Sequence, residues 1–303
     1  MPSTRPDFFI VGAPKCGTTS LDHYLAQHPE VFIPESKQLH YFGRDLEIHG
    51  DWFTLDKYLD YFKDAPPGAI VGEGSGLYLY SKTAASEIHQ FNPNAKIIMM
   101  LRNPTEAAHA LHGEMLWAAI ENIESFEQAV AAGPDRERGP RLANTTLPKD
   151  VLNYRKIYQY ASQVQRYLDL FGRERVHPVI FDDLKTSTLE EYSKVCSFLG
   201  VDGTFVPDVA VHNRSKRLRN RKLAELLRRP PGAVRMIYRL LIPTSIRSRW
   251  RRGLMERNTA HAEREPMSPS FRVKLRREYS ADVVALSQLV GIDLTFWNEN
   301  ETT

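Results

Sequence analysis

Phe8-Phe9-Ile10-Val11-Gly12-Ala13-Pro14-Lys15-Cys16-Gly17-Thr18-Thr19-Ser20-Leu21 is the stretch on which the reading of this chain turns. Its first four residues are uniformly apolar, as a strand covered on both faces is. Gly12 to Thr19 reads as a loop. Thr18 to Gln27 reads as a helix with Leu21 and Leu25 on one face, stopped at the His28-Pro29 step. Outward from there, strand and helix signals alternate. Val31 to Ile33 and Ala69 to Gly72 are short apolar runs, and Lys96 to Leu101 (KIIMML) is the strongest strand signal. Helices are expected over Asp56 to Phe62, Lys82 to Phe91 and Pro104 to about Ala119, where proline suits a first turn. Gly133 to Lys149 reads as a surface loop, Val151 to Phe171 as one long helix ended by Gly172, and Arg175 to Phe181 as a strand. Leu189 to Leu199 is a helix capped by Gly200, and Phe271 to Leu289 a final helix. The pattern predicts an α/β three-layer sandwich, a central parallel sheet flanked by helices. From about Asn213 the sequence turns basic and helical, predicting a C-terminal lid over residues 212–260 within one domain spanning 1–303.

The loop carries the chemistry. Gly12 and Gly17 frame four residues between a strand and a helix N-terminus, the spacing of a Walker phosphate loop and a place that favours an anion. Yet the residue after Gly17 is Thr18, where a nucleoside triphosphatase needs lysine, and the lysine lies three positions earlier as Lys15. The fold is therefore read as P-loop-like, with a different ligand. Cys16 reads as a spacer in the loop. No clear magnesium-holding Asp follows a second apolar strand, and no metal is expected.

Pro14-Lys15-Cys16-Gly17-Thr18-Thr19-Ser20-Leu21 resembles the 5′-phosphosulfate loop of sulfotransferases that use PAPS (3′-phosphoadenosine 5′-phosphosulfate), the bacterial and heparan-sulfate-type branch especially. The resemblance implies an enzyme moving a sulfuryl group from PAPS to a hydroxyl or amine, leaving PAP, the 3′,5′-bisphosphate. A donor ending in sulfate needs a cation at the bridging oxygen, which gains charge as the S–O bond breaks, and Lys15 at the crown of the loop suits that need. Lys15, Cys16, Gly17, Thr18, Thr19 and Ser20 are the expected 5′-phosphate cradle. Arg102, directly after the strongest strand, is implied to bind the 3′-phosphate. The serine that usually helps it eight residues later is here Ala110, one hydroxyl contact fewer, worth roughly 1 kcal/mol. His212 to Asn220 resembles the late loop of bacterial members, so Lys216, Arg217 and Arg219 are further expected donor contacts. The ending Tyr279 to Trp297 resembles the family's closing helix.

Two segments resemble the acceptor side. Ser36 to Phe42 matches a Lys-Glu-x-His-Phe-Phe pattern, but the glutamate that serves many members as base is Gln38, and a neutral amide cannot take that proton. His40 is retained and titrates near working pH. The base is then His40, alone or shared with a carboxylate such as Glu35 or Glu73, while Gln38 orients the acceptor. Gly72 to Tyr78 matches Gly-Glu-x-Ser-x-x-Tyr, placing Glu73, Ser75 and Tyr78 at the acceptor. Gly74 stands where heparan-type members carry lysine, which weakens the case for a sulfated polysaccharide.

Composition sets the outer bounds. With 303 residues, 42% hydrophobic and 25% charged, the chain has enough core to fold unaided. Forty basic against 37 acidic residues, a net charge of +3, excludes a histone-like nucleic-acid binder. Two distant cysteines, Cys16 and Cys196, form neither a disulfide framework nor a zinc site. No apolar stretch approaches the roughly 18 residues of a spanning helix, and Met1 to Asp7 has no basic leader, so a cytoplasmic enzyme is expected. The basic, partly apolar stretch Arg228 to Arg252 reads as part of the lid. The acceptor is a small molecule, whether natural product, lipid or sugar. A P-loop nucleotide kinase-like enzyme and a non-catalytic nucleotide-binding relative are the alternatives, the second kept open by Gln38 and Ala110.

Overall fold

Phe8–Gly12 forms strand β1, buried along its whole length, at the centre of a five-stranded parallel sheet. A computed structural model describes residues 5–50, 52–139, 147–209, 216–218, 223, 253–254, 258–261 and 265–299 of the chain. The other strands are β2 (Val31–Phe32), β3 (Ile70–Gly74), β4 (Lys96–Leu101) and β5 (Val176–Ile180), in the order β2-β3-β1-β4-β5. The chain goes to one side of β1 for β2 and β3 and to the other for β4 and β5. β1 is therefore the topological switch, and the carboxyl ends of β3, β1 and β4 are where such sheets bind ligands.

Between these strands run α1 (Thr18–Leu25), α2 (Leu55–Leu59), α3 (Ala84–Phe91) and α4 (Pro104–Trp117). Then come α5 (Phe126–Ala131), α6 (Gly133–Arg138), α7 (Tyr154–Ile157) and α8 (Tyr160–Phe171). After β5 follow α9 (Phe181–Thr186), α10 (Thr188–Leu199) and α11 (Pro269–Val290). Asn103 caps α4 by accepting from the Thr105 amide at 3.0 Å, with Pro104 in the first turn. α1 packs on β1 and β3, α8 on β4 and β5, and α11 on α8 and α4. Two short antiparallel strands, β6 (Lys216–Leu218) and β7 (Thr259–His261), lie beside α4.

The structure redraws three elements. The expected single helix over Val151 to Phe171 is three pieces, a 3-10 turn (Lys149–Leu152), α7 and α8; the break at Tyr158-Gln159 arises because Asp282 on α11 accepts from the amides of Tyr160 (2.7 Å) and Ala161 (3.2 Å) and starts a new helix there. Within the expected loop at Gly133 to Lys149, residues Gly133–Arg138 form α6, with Pro134 in its first turn and Arg136 tied to Glu121. Phe181 ends no strand: it opens α9. The lid stretch Arg228 to Arg252 lies outside the described residues.

Register across the sheet centre depends on one small residue. Gly72 pairs with Phe8, and a β-carbon on Gly72 would stand 2.1 Å from the Phe8 ring. Gly72→Ala should cost about 3 kcal/mol through overpacking, read as a lower urea midpoint at unchanged m-value. An unchanged midpoint would contradict this β1–β3 pairing.

Candidate active site

The loop after β1 is shaped by glycine and held by tyrosine and arginine. Gly12 has φ +137°, and a β-carbon there would meet the Gly76 carbonyl oxygen at 2.4 Å. The turn after β3 therefore lies directly on this loop. Two more contacts fix it: the Ser75 amide donates to Ile10 O (3.1 Å) and the Leu79 amide to Val11 O (2.7 Å). On the other side the Ala13 amide donates to Met100 O (2.7 Å), Tyr158 Oη to Pro14 O (3.0 Å), and Arg102 Nη1 to Lys15 O (3.2 Å). Gly17, at φ +91°, is the N-cap of α1. It offers no side-chain cap, and no acidic residue sits in the first turn. Thr18, Thr19 and Ser20 are only partly buried. The helix-start amides of Thr18 and Thr19, three hydroxyls and a first turn without an acidic residue suit a bound phosphate.

Lys15 and Arg102 flank this loop. Lys15 Nζ pairs with Glu114 Oε2 of α4 at 2.6 Å, both side chains being partly exposed. Arg102 sits at the end of β4 with its guanidinium 4.5 Å over the Phe181 ring. Ala110 is buried in α4 at 1% exposure. Lys216 and Arg217 lie in β6, which packs against α4, while Arg219 lies outside the described residues. The backbone thus brings the first part of the late basic loop to the same helix as Ala110 and Glu114. Cys16 is fully buried with Sγ 3.4 Å from Tyr160 Oη, and burial pushes its thiol up to about 12. It is no thiolate nucleophile, and its contribution to the cradle is backbone.

Gln38, His40, Glu73, Ser75 and Tyr78 come together as one polar cluster. Glu73, Ser75 and Tyr78 are at most 1% exposed. Ser75 donates to Glu73 Oε1 and accepts from the His40 amide at 3.0 Å. Tyr58 Oη donates to Glu73 Oε2 at 3.3 Å. Burial raises the Glu73 carboxyl to about 7, against the lowering effect of its hydroxyl donors. His40 is 8% exposed, with its ring edge-on to Tyr78 at 5.8 Å. Its Nε2 lies 3.0 Å from Gln38 Oε1, and its Nδ1 is buried with no hydrogen-bond partner. Burial, with His49 nearby, lowers its pKa to about 4, so the imidazole is neutral throughout the physiological range. Gln38 is exposed, and so is Glu35. A neutral imidazole, a lysine and an anion cradle on one crevice can carry a proton transfer beside a phosphate-like leaving group.

Several participants carry no signature in sequence. Glu114 looks like any exposed helix acid. Arg166 of α8 reaches the carbonyls of Leu79 (3.1 Å), Tyr80 (3.3 Å) and Ser81 (3.0 Å), pinning the end of the turn after β3. His49 Nε2 bonds Leu39 O at 2.7 Å beside His40. Asp22, buried in α1, pairs with Lys37 at 2.6 Å and ties the donor-side helix to the Gln38 loop. A cluster of tyrosines at 154, 158, 160 and 167 is the one available signal, and apolar burial explains it equally well in sequence.

With this geometry in view, the comparisons with known proteins are consistent. Residues 5–261 match the family described as "Sulfotransferase domain". A sulfotransferase crystal structure from Alicyclobacillus acidocaldarius superposes with TM-score 0.72 at 29% identity, covering 98% of this chain and 100% of that one. Membrane-associated sulfotransferase kil1 of Dictyostelium discoideum is 30% identical over 67% of this chain, and human Carbohydrate sulfotransferase 15 is 25% identical over 65%. The chain spans 58% and 44% of the lengths of those two relatives. Among the described residues, no helix is long and apolar enough to cross a membrane.

The Glu73 carboxyl titrates in a testable window. Its folded pKa, about 7, lies above the ordinary value of 4.5, so the folded chain holds the proton more tightly than the unfolded one. Stability must then fall as pH rises from about 4.5 to 7. Glu73→Gln, which does not titrate, should gain stability relative to the parent between about pH 5 and pH 8, read as a change in their Tm difference. A Tm difference constant across that range would show that the buried carboxyl keeps its ordinary pKa.

Proposed function

Because this chain belongs to the sulfotransferase family, we propose that it transfers a sulfuryl group from PAPS to a hydroxyl or amine of a small acceptor. The observation that carries the reading is the uncapped, acid-free start of α1 behind a loop whose lysine stands at the crown. A triphosphate site needs its cation at the helix start, beside a metal. Here that place is Thr18, and a shorter donor ending in sulfate fits it.

The residues divide the work as follows. Amides and hydroxyls from Lys15 to Ser20 hold the 5′-phosphate, and Arg102, with Lys216, Arg217 and Arg219 from the late loop, holds the 3′-phosphate. Ala110 supplies only its backbone and a methyl group to that wall. His40 takes the proton from the acceptor as its oxygen or nitrogen attacks sulfur. The S–O bond to the phosphate breaks, and the Lys15 ammonium stabilises the oxygen that leaves with PAP. His40 is favoured over Glu73 because both Glu73 oxygens already accept hydrogen bonds from Ser75 and Tyr58. Glu35 is exposed and has no such place in the cluster. Ser75, Glu73 and Tyr78 hold the acceptor-side turn and the His40 backbone. The Gly74 position and the two buried thiols, Cys16 and Cys196, support a small acceptor and a reducing, cytoplasmic setting.

Binding of adenosine 3′,5′-bisphosphate should raise Tm in a concentration-dependent way, while ATP with magnesium should not. The reverse ranking would favour the kinase-like alternative. With radiolabelled PAPS and a panel of phenols, alcohols and amino sugars, Lys15→Ala should lower turnover by at least about 100-fold with a much smaller loss of donor affinity. Binding of the bisphosphate with no transfer to any acceptor would favour a non-catalytic relative.

The Lys15–Glu114 pair adds a second test. Glu114 competes with the donor for the lysine, so Glu114→Gln should tighten bisphosphate binding several-fold, and the gain should shrink as salt rises. Unchanged or weaker affinity would remove Glu114 from the donor site.

A further inference from the structure

The family's usual carboxylate is an amide here, and its contact is specific. Gln38 Oε1 lies 3.0 Å from His40 Nε2. An amide oxygen only accepts, so this contact fixes the Nε2–H form of the ring and occupies the nitrogen at its tip. The other nitrogen, Nδ1, is buried with no hydrogen-bond partner. An acceptor entering from solvent can meet His40 only at Nε2, the position Gln38 holds.

The backbone around this contact is pinned. The Gln38 amide donates to Gly74 O (3.0 Å), the His40 amide to Ser75 Oγ (3.0 Å), and His49 bonds Leu39 O (2.7 Å). Both Gln38 (φ 59°) and His40 (φ 48°) sit in the left-handed region that these bonds maintain. The Gln38 side chain, by contrast, is exposed, and its amide lies beside Gly76, where an added β-carbon would still be 3.7 Å away. It has room to swing on side-chain torsions alone. The groups facing His40 from the packed elements are Ser75 and Tyr78 from the turn after β3 and His49 from its own loop. None of these is hydrogen-bonded to Nε2.

We propose that Gln38 gates the base: its carboxamide covers His40 Nε2 in the resting chain, and an acceptor hydroxyl reaches that nitrogen only by displacing it. This inference rests on the reading of His40 as the base. Displacement uncovers Nε2. Its proton passes to water and Nδ1 takes one from water, which gives the Nδ1–H tautomer with the Nε2 lone pair facing the acceptor, and Gln38 regains a donor and an acceptor with which to hold the incoming hydroxyl. A single partly exposed hydrogen bond holds the gate shut by about tenfold.

Diethyl pyrocarbonate acylates neutral imidazole nitrogen and needs neither donor nor acceptor, so the test is readable even if PAPS does not bind. Mass spectrometry follows acylation at His40 in the full chain, with His23 and His89 as internal references. In the parent, His40 should react more slowly than either reference. Gln38→Ala should speed reaction at His40 by about tenfold and leave the references unchanged. Gln38→Glu, which keeps an oxygen over Nε2, should react no faster than the parent. Equal His40 rates in the parent and Gln38→Ala would overturn the gate, as would a parent His40 as reactive as the references. Near-parental Tm in the Glu variant controls for folding, and a faster His40 there would equally overturn the proposal.

Discussion

The joint between two loops sets the rest of the site. Gly12 ends the central strand, and the carbonyl of Gly76 occupies the space where its β-carbon would be. This close approach, with the amides of Ser75 and Leu79 bonded to the β1 carbonyls, presses the turn after β3 onto the loop after β1. Any larger side chain at Gly12 would separate the two. Their contact brings the loop that starts α1 and the turn that holds the His40 segment together at the carboxyl ends of β1 and β3. Both loops lie where strand order reverses, the only edge of such a sheet that leaves room for a ligand.

Polar burial on the acceptor side follows from that joint. Glu73 is buried, its carboxyl is held by Ser75 and Tyr58, and its pKa rises because the charged form has lost solvation. Ser75 accepts from the His40 amide as well as donating to Glu73, so one hydroxyl connects the buried acid to the His40 backbone. Asp22 and Lys37 form a second tie, from the helix behind the anion cradle to the segment that carries Gln38.

Much of the fold was legible. KIIMML at Lys96 to Leu101 is a strand to the residue, and the β1 loop and α1 stand where Phe8 to Leu25 suggested. What failed was set by distant partners. The helix at Val151 to Phe171 breaks because Asp282, more than a hundred residues later, caps a new start at Tyr160. α6 forms in a Pro- and Gly-bearing segment because Arg136 meets the fully buried Glu121. In the site, glycine framing and a strand end singled out Lys15 and Arg102, because such features carry information locally, whereas His40 and Glu73 were expected only through the family resemblance. The partners Glu114, Tyr158 and Arg166 were invisible, because an ion pair or carbonyl clamp between remote segments leaves no periodic trace. The Gln38–His40 contact was half visible: the amide was plain in sequence, and its placement over Nε2 was not.

The central claim is that the β1–α1 loop grips a bisphosphorylated adenosine. Titrating isotope-labelled protein with adenosine 3′,5′-bisphosphate, and following backbone amide shifts, tests it most directly. The account predicts saturable shifts largest at Lys15 to Ser20, with a second group around Arg102. Shifts that avoid the loop, or none at saturating nucleotide, would contradict it.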